Sequence, residues 1–241
     1  MSNVIQKLIK AIKYELGVLR RIVRSRAFIS KGDKEDIITR FHKLYYDSAL
    51  VGGTHKNTFF LGIPTRKCPL DTWAYQEIIY KNKPDLIIEC GTSHGGSALF
   101  MASICDLIGN GEIVTIDIED LPRPSHPRIK YLLGSSVDPL IVQKVATIMK
   151  GKQKVMVILD SDHSKDHVLK ELEIYNKFVT SGQYLIIEDT NVNGHPVYIE
   201  HGPGPMEALD EFLKTNNDFV ESEMGTKFLL TFNPRGYWIK K

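Results

Sequence analysis

Leu86-Ile87-Ile88-Glu89-Cys90-Gly91-Thr92-Ser93-His94-Gly95-Gly96-Ser97 is an apolar run that closes on an acid and then turns on glycines. Three later runs have the same form: Ile113-Val114-Thr115-Ile116-Asp117, Val155-Met156-Val157-Ile158-Leu159-Asp160 and Leu185-Ile186-Ile187-Glu188-Asp189. Short, nearly uninterrupted apolar runs with patterned helices between them predict buried strands of a parallel sheet. Ligands of such sheets bind outside the carboxyl ends of the strands. The acids are therefore expected to share one rim, a layout that suits a nucleoside cofactor together with a divalent metal.

Outward from this stretch the alternation is regular. Strand 86–89 leads to helix 95–108, and Gly109-Asn110-Gly111 turns into strand 113–117. A short strand 129–133 precedes helix 138–150, strand 155–159 precedes helix 164–180, and strand 184–188 precedes helix 205–215, which Pro205 opens. Strand-like runs follow at Phe219–Glu221, Phe228–Phe232 and Tyr237–Ile239. The expectation is an α/β protein with a doubly wound, Rossmann-like sheet and an antiparallel C-terminal edge. Upstream, Asp71 is a candidate cap for a helix 72–82. Residues 51–69, rich in Gly, Thr, Asn and Pro, read as a long loop, and such loops are usually functional. Gly32-Asp33 reads as a break, with Asp33 capping a helix 34–47. Three parts are expected: a basic amphipathic helix 1–32, a helical and loop lid 33–83, and a core 84–241.

At 241 residues the chain is long enough for one full α/β domain with an extension, and 42% hydrophobic with 25% charged residues is ordinary for a globular protein. No run of 18 apolar residues predicts a membrane-spanning helix, and the N-terminus lacks the apolar core of a signal peptide. Cys68, Cys90 and Cys105 are odd in number and widely spaced, which predicts a reducing cytoplasm rather than a disulfide framework. The net charge of +2 is asymmetric: residues 1–31 carry +7 and the remaining 210 carry −5. An acidic body with a basic tail argues against a nucleic-acid enzyme. Within residues 3–28, Val4, Ile5, Leu8, Ile9, Ile12, Leu16, Leu19, Ile22 and Val23 form one helical stripe. Two readings fit it: a helix packed on the core or on a second subunit, with a homo-oligomer as the result, or an interfacial helix on an anionic membrane.

The turn after Glu89 lets backbone pass close to a ligand at Gly91 and Gly95, ahead of a helix N-terminus. Ser93 replaces the middle glycine of the dinucleotide pattern, so a pyrophosphate would fit poorly. Asp117 closes the next strand, where an acid can accept hydrogen bonds from ribose hydroxyls. Ser135 and Ser136 close the third strand, on the adenine side. Asp160, Glu188 and Asp189 come from neighbouring strand ends, and three carboxylates repel unless a cation lies between them. Oxygen ligands suit Mg²⁺. The competing reading is an ion-pair cluster with lysines. His163, beside this cluster, could take a proton near neutral pH. His94, His167, His195 and His201 are weaker candidates.

Glu89–Ala98 resembles the first motif of class I S-adenosylmethionine-dependent methyltransferases of the metal-dependent catechol type. Further matches are Ile158-Leu159-Asp160-Ser161-Asp162-His163, Ile186-Ile187-Glu188-Asp189-Thr190 and Gly202-Pro203-Gly204-Pro205, with Leu61-Gly62-Ile63-Pro64 and Pro69-Leu70-Asp71-Thr72-Trp73 ahead of the core. Together they resemble the cephalosporin hydroxylase/rhamnosyl O-methyltransferase family over roughly residues 36–240. The resemblance implies that Glu89, Gly91, Thr92, Gly95 and Ser97 hold the methionine and ribose part of S-adenosylmethionine. It implies Asp117 on the ribose, with Glu119 two residues on as a competing ligand, and Ser136 on the adenine side. Asp160, Glu188 and Asp189 would bind Mg²⁺, and His163 resembles the general base of macrolide-sugar methyltransferases. The implied reaction is O-methylation of a sugar hydroxyl, with loop 51–69 closing over the cofactor. The alternatives are a methyltransferase for a catechol or natural product, a nicotinamide-dependent oxidoreductase, and an idle, membrane-recruited binding module.

Overall fold

The structure is a computed structural model that describes residues 3–28, 30–47 and 53–241. The chain divides into two compact units, Met1–Phe41 and His42–Lys241. The first contains helix α1 (Asn3–Phe28) and the start of α2 (Lys31–Tyr46). The side chains of Leu8, Ile12, Leu16 and Leu19, on the apolar stripe of α1, are exposed. The expected break at Gly32-Asp33 is not one. Ser30 and Asp33 exchange capping bonds, Ser30 N donating to Asp33 Oδ2 at 3.0 Å and Asp33 N to Ser30 Oγ at 3.1 Å, and α2 starts at Lys31. This reciprocal pair satisfies two N–H groups that a helix start leaves open, so Gly32 lies inside the first turn.

The second unit is built on a seven-stranded sheet. Its strands are β3 (Leu86–Cys90), β4 (Glu112–Asp117), β5 (Ile129–Leu133), β6 (Val155–Leu159), β7 (Tyr184–Ile187), β8 (Phe219–Glu221) and β9 (Tyr237–Lys240). They lie in the order β5-β4-β3-β6-β7-β9-β8. The five strands from β5 to β7 run parallel, while β9 is antiparallel to both β7 and β8. Every residue of β3, β6 and β7 is buried, because helices cover both faces. On one face Ile87, Ile113, Met156 and Ile186 pack with Ile78, Ile79 and Met101 of α3 (Pro69–Asn82) and α4 (Gly96–Ile108). On the other, Ile88, Val114, Val157 and Ile187 pack with Ile141, Leu172 and Leu209 of α5 (Pro139–Ile148), α6 (Lys165–Tyr175) and α7 (Pro205–Phe212). Successive strand residues point to opposite faces, so two covered faces require an unbroken apolar run. The chain turns outward in both directions from β3 and β6, the reversal at which open α/β sheets form their ligand crevice.

Three expectations are corrected. Residues 51–69 are not an unstructured loop: beyond positions 51 and 52, which lie outside the described residues, the segment holds a 3-10 turn at Thr54–Asn57 and an antiparallel hairpin, β1 (Phe59–Phe60) with β2 (Ile63–Pro64). Asp71 is not a cap. Helix α3 starts at Pro69, after Cys68, and the Asp71 carboxylate is buried. It accepts from Thr231 Oγ1 at 2.5 Å, Phe232 N at 2.8 Å and Tyr237 Oη at 2.9 Å. Those bonds explain the third correction. Phe228–Phe232 is not a strand, because the N–H of Phe232 is satisfied by Asp71 rather than by a ladder partner. Phe232 then receives the end of α2, with His42 stacked on it at 5.6 Å and Tyr46 edge-on at 5.2 Å.

Candidate functional site

A cleft of about 940 Å³ opens at the carboxyl ends of the central strands. It is lined by Gly91, Thr92, Ser97, Asp117, Ser136, Asp160, His163 and Asp189, eight of the residues singled out from the sequence. Glu89, Gly95 and Glu188 are not on its wall.

The turn after β3 owes its shape to close backbone packing. Gly91 has φ 97°, and a Cβ there would run into the carbonyl of Asp160 on the neighbouring strand end. Its conformational freedom is thus required by β3–β6 packing as well as by any ligand. Asp117 holds the turn from the side: its Oδ2 accepts from Thr92 N at 3.0 Å and Ser93 N at 2.7 Å, and its Oδ1 from Glu119 N at 2.9 Å. Glu89 lies under the floor, wholly buried, with its carboxylate accepting from Ser97 Oγ at 2.5 Å and Thr115 Oγ1 at 2.6 Å. Burial pushes its pKa above the usual carboxylate range, against the pull of Lys67 and the two hydroxyls. Ser97, in the first turn of α4, is therefore the intermediary between Glu89 and the cleft. Ser136 Oγ donates to Glu171 Oε1 at 2.5 Å and lies 3.1 Å from His167 Nε2. Glu171 is fully buried and also accepts from Ser161 Oγ at 2.6 Å.

At the other end of the cleft, ligand atoms of Asp160, His163 and Asp189 all lie within 4.8 Å of one another. His163 Nε2 is 3.2 Å from Asp189 Oδ2. Burial lowers the His163 pKa, but Asp189, Asp160 and Glu188 outweigh it and hold the imidazole above its ordinary value. Asp189 occupies a left-handed backbone conformation, φ 52°, and its N–H donates to Asn233 Oδ1 at 3.0 Å. Glu188, expected beside these ligands, turns inward instead. Its Oε1 accepts from Lys67 Nζ at 2.5 Å and Tyr75 Oη at 2.7 Å, and the same Lys67 donates to Asp160 Oδ2 at 2.6 Å. The competing reading, an ion pair with a lysine, is thus present on one side, and beside it stands a group of metal-ligand geometry in which His163, not Glu188, joins Asp160 and Asp189.

Lys67, Tyr75, Asn233 and Glu171 are site residues that sequence reasoning missed. Glu171 stands four residues after His167, a spacing that places both on one helix face and could have been read. Lys67 carried no such signal, since a lysine in a polar segment looks solvated. Among the weaker histidines, His167 lines the cleft, whereas His195 bonds Glu207 Oε1 at 2.8 Å.

A doubly wound sheet with an acid-lined crevice at its point of reversal is the architecture of the class I methyltransferases. Residues 53–241 match the family described as Rhamnosyl O-methyltransferase/CmcI, and the chain belongs to that family. It is 34% identical over 236 residues to the rhamnosyl O-methyltransferase of Mycobacterium tuberculosis H37Rv, covering 93% of this chain and 94% of that one. The Mycobacterium leprae protein of the same name is 35% identical over 214 residues, covering 86% and 92%. Among solved structures, apo CmcI superposes with TM-score 0.61 at 16% identity, over 77% of this chain and 76% of that one. CmcI in its Mg-SAM form gives 0.57 at 17% identity, over 77% of each.

Proposed function

We propose that this protein is an S-adenosylmethionine- and Mg²⁺-dependent O-methyltransferase acting on a sugar hydroxyl, with a rhamnosyl group as the first acceptor to test. The observation that carries this reading is the approach of Asp160, His163 and Asp189 to one another at the lip of the cleft, next to the glycine turn. The residues suit both groups. Two carboxylates match the preference of Mg²⁺ for oxygen, and the cleft volume lies within the range of small-molecule and cofactor sites. When bound, S-adenosylmethionine supplies an electrophilic methyl group, and Mg²⁺ the positive charge that eases loss of a hydroxyl proton. Gly91, Thr92 and Ser97 cradle the methionine and ribose part, with Glu89 acting through Ser97 and Gly95 opening helix α4. Asp117 faces the ribose while bracing the turn, and Ser136 faces the adenine. Asp160, Glu188 and Asp189 are the carboxylates that would hold the cation, Glu188 being bonded here to Lys67 and Tyr75. His163 is the base that would take the acceptor proton, near neutral pH. Hairpin β1–β2 packs against the start of α4, where a Cβ on Gly96 would strike the carbonyl of Pro64, and so shields the turn from water.

Calorimetric titration tests the cofactor assignment. S-adenosylhomocysteine is expected to bind in the micromolar range, on the order of −8 kcal/mol, and NAD not to compete. Tight NAD binding with no response to S-adenosylhomocysteine would overturn it. Mass spectrometry of a rhamnosyl acceptor incubated with S-adenosylmethionine then reads the gain of one methyl group.

No helix among the described residues is long and apolar enough to cross a membrane. We assign the enzyme to the cytoplasm, in keeping with buried free thiols at Cys68, Cys90 and Cys105, and assign α1 a peripheral role on anionic lipid. Residues 3–28 carry +6, each basic side chain being worth about 1 kcal/mol near such a surface. Full-length protein should sediment with phosphatidylserine vesicles and a chain beginning at Ser30, which keeps the cap of α2, should not. If neither sediments and the shorter chain changes its oligomeric state, α1 is a homo-oligomer contact instead.

A further inference from the structure

Glu171 is wholly buried and does not line the cleft, yet two side chains that do line it end on one of its oxygens. Ser136 Oγ, in the turn after β5, donates to Glu171 Oε1 at 2.5 Å, and Ser161 Oγ, in the turn after β6, donates to the same oxygen at 2.6 Å. The second oxygen, Oε2, is buried with no hydrogen-bond partner among the described residues. An apolar side chain of similar size would avoid that cost, so stability alone gives no reason for a carboxylate here. His167 stands four residues earlier on α6, and the bond to Glu171 holds its imidazole above its ordinary pKa against partial burial. Its Nε2 lies 3.1 Å from Ser136 Oγ and 3.5 Å from Glu171 Oε1. Tyr175, one turn further along α6, donates from Oη to the main-chain carbonyl of Ser136 at 2.8 Å. Ser136 is thus fixed at both its backbone and its hydroxyl.

A carboxylate only accepts, whereas a serine hydroxyl has one proton to give and two lone pairs. Both hydroxyl protons are committed to Glu171, so toward the cleft Ser136 and Ser161 present lone pairs and nothing else. One lone pair of Ser136 faces His167, and because the serine proton is already given away, Nε2 carries the proton of that contact. Asp162 lines the same wall, which is therefore an acceptor surface. It matches a ligand edge that donates. The amino group of an adenine does so, while a carbonyl at the same ring position accepts and would set lone pair against lone pair. Asp162 is exposed, and its Oδ1 already accepts from Ser164 N at 2.7 Å, so the two locked serines carry the discrimination.

We propose that Glu171 is a positioning residue for cofactor specificity: by fixing the hydroxyl protons of Ser136 and Ser161 behind the cleft wall, it makes this end of the cleft selective for a 6-amino purine over a 6-oxo purine. The inference rests on the placement of the adenine against Ser136 given above and adds what lets the site tell that base from another. Locking a hydroxyl before the ligand arrives also means that no rotamer has to be chosen on binding, which is how a preorganised polar site gains selectivity.

The test is calorimetric titration of the full-length protein with S-adenosylhomocysteine and with S-inosylhomocysteine, its 6-oxo analogue. Wild type is expected to bind the amino form at least about tenfold more tightly, the effect of leaving one buried hydrogen-bonding group unsatisfied. Glu171→Leu frees both hydroxyls to rotate and donate. The ratio of the two affinities should then fall to about threefold or less, mainly through tighter binding of the 6-oxo form. A merely structural Glu171 would, on removal, weaken both ligands alike and keep the ratio, and that result overturns the proposal. The ratio would also be kept if Asp162 alone reads the amino group. Should Glu171→Leu not fold, Ser136→Ala and Ser161→Ala each delete one locked acceptor. At least one of them must lower the ratio by about threefold or more, and two unchanged ratios overturn the proposal. Equal binding of both forms by wild type overturns it too, while leaving the cofactor reading intact. If wild type binds neither form, the cofactor reading itself fails and the proposal fails with it.

Discussion

Asp189→Asn lowers methyl transfer by about 10³-fold or more while S-adenosylhomocysteine still binds. The size follows from the chemistry: a metal's stabilisation of developing charge is worth several kcal/mol, and each 1.36 kcal/mol is tenfold in rate. The choice of variant follows from the backbone. Asp189 has φ 52° and donates its N–H to Asn233. Asparagine tolerates that left-handed conformation and alanine does so poorly, so Asp189→Asn separates loss of the ligand from loss of the loop. Excess chelator on the wild type is expected to give the same result, activity lost and cofactor binding kept. Full activity in chelator would assign these acids another task.

His163→Ala carries the second large effect, a fall in the maximal rate of roughly 10²- to 10⁴-fold, the range for a positioned general base. The surrounding carboxylates raise the pKa of His163, so they favour its protonated form. A base must be unprotonated to act. The wild-type rate should therefore fall as pH drops through the His163 pKa, and this acid limb should vanish in His163→Ala. Mg²⁺ and S-adenosylhomocysteine titrations of the same variant should be nearly unchanged. If the acid limb persists, the proton goes to another group or to solvent.

The two ends of the site were unequally legible in the chain. Strand ends were readable because a buried parallel strand needs an uninterrupted apolar run, and the run stops where the chain meets the crevice. Asp117, Asp160 and Asp189 could be placed on the rim from that alone, and His163 followed from its spacing. Glu89 and Glu188 stop the same kind of run, yet both turn beneath the rim. Which side of the sheet edge a terminal acid faces depends on what waits for it. For Glu89 that is Ser97 and Thr115; for Glu188 it is Lys67 and Tyr75. Likewise, Phe228–Phe232 has a strand's composition, but the N–H of Phe232 goes to Asp71, more than 150 residues away in sequence.

The alternation of apolar runs, glycine turns and patterned helices was by itself sufficient for the doubly wound sheet, its antiparallel edge and the carboxyl-end crevice. These features depend on local periodicity and on the rule that a strand covered on both faces is apolar throughout. The pairing of charges inside the crevice was decided by tertiary structure alone. Lys67 reaches across 93 residues to Asp160 and 121 to Glu188, and no local pattern encodes such a contact. An ion pair in a desolvated pocket depends on where two distant backbones place their side chains, and that is set only once the whole sheet and its flanking helices have packed.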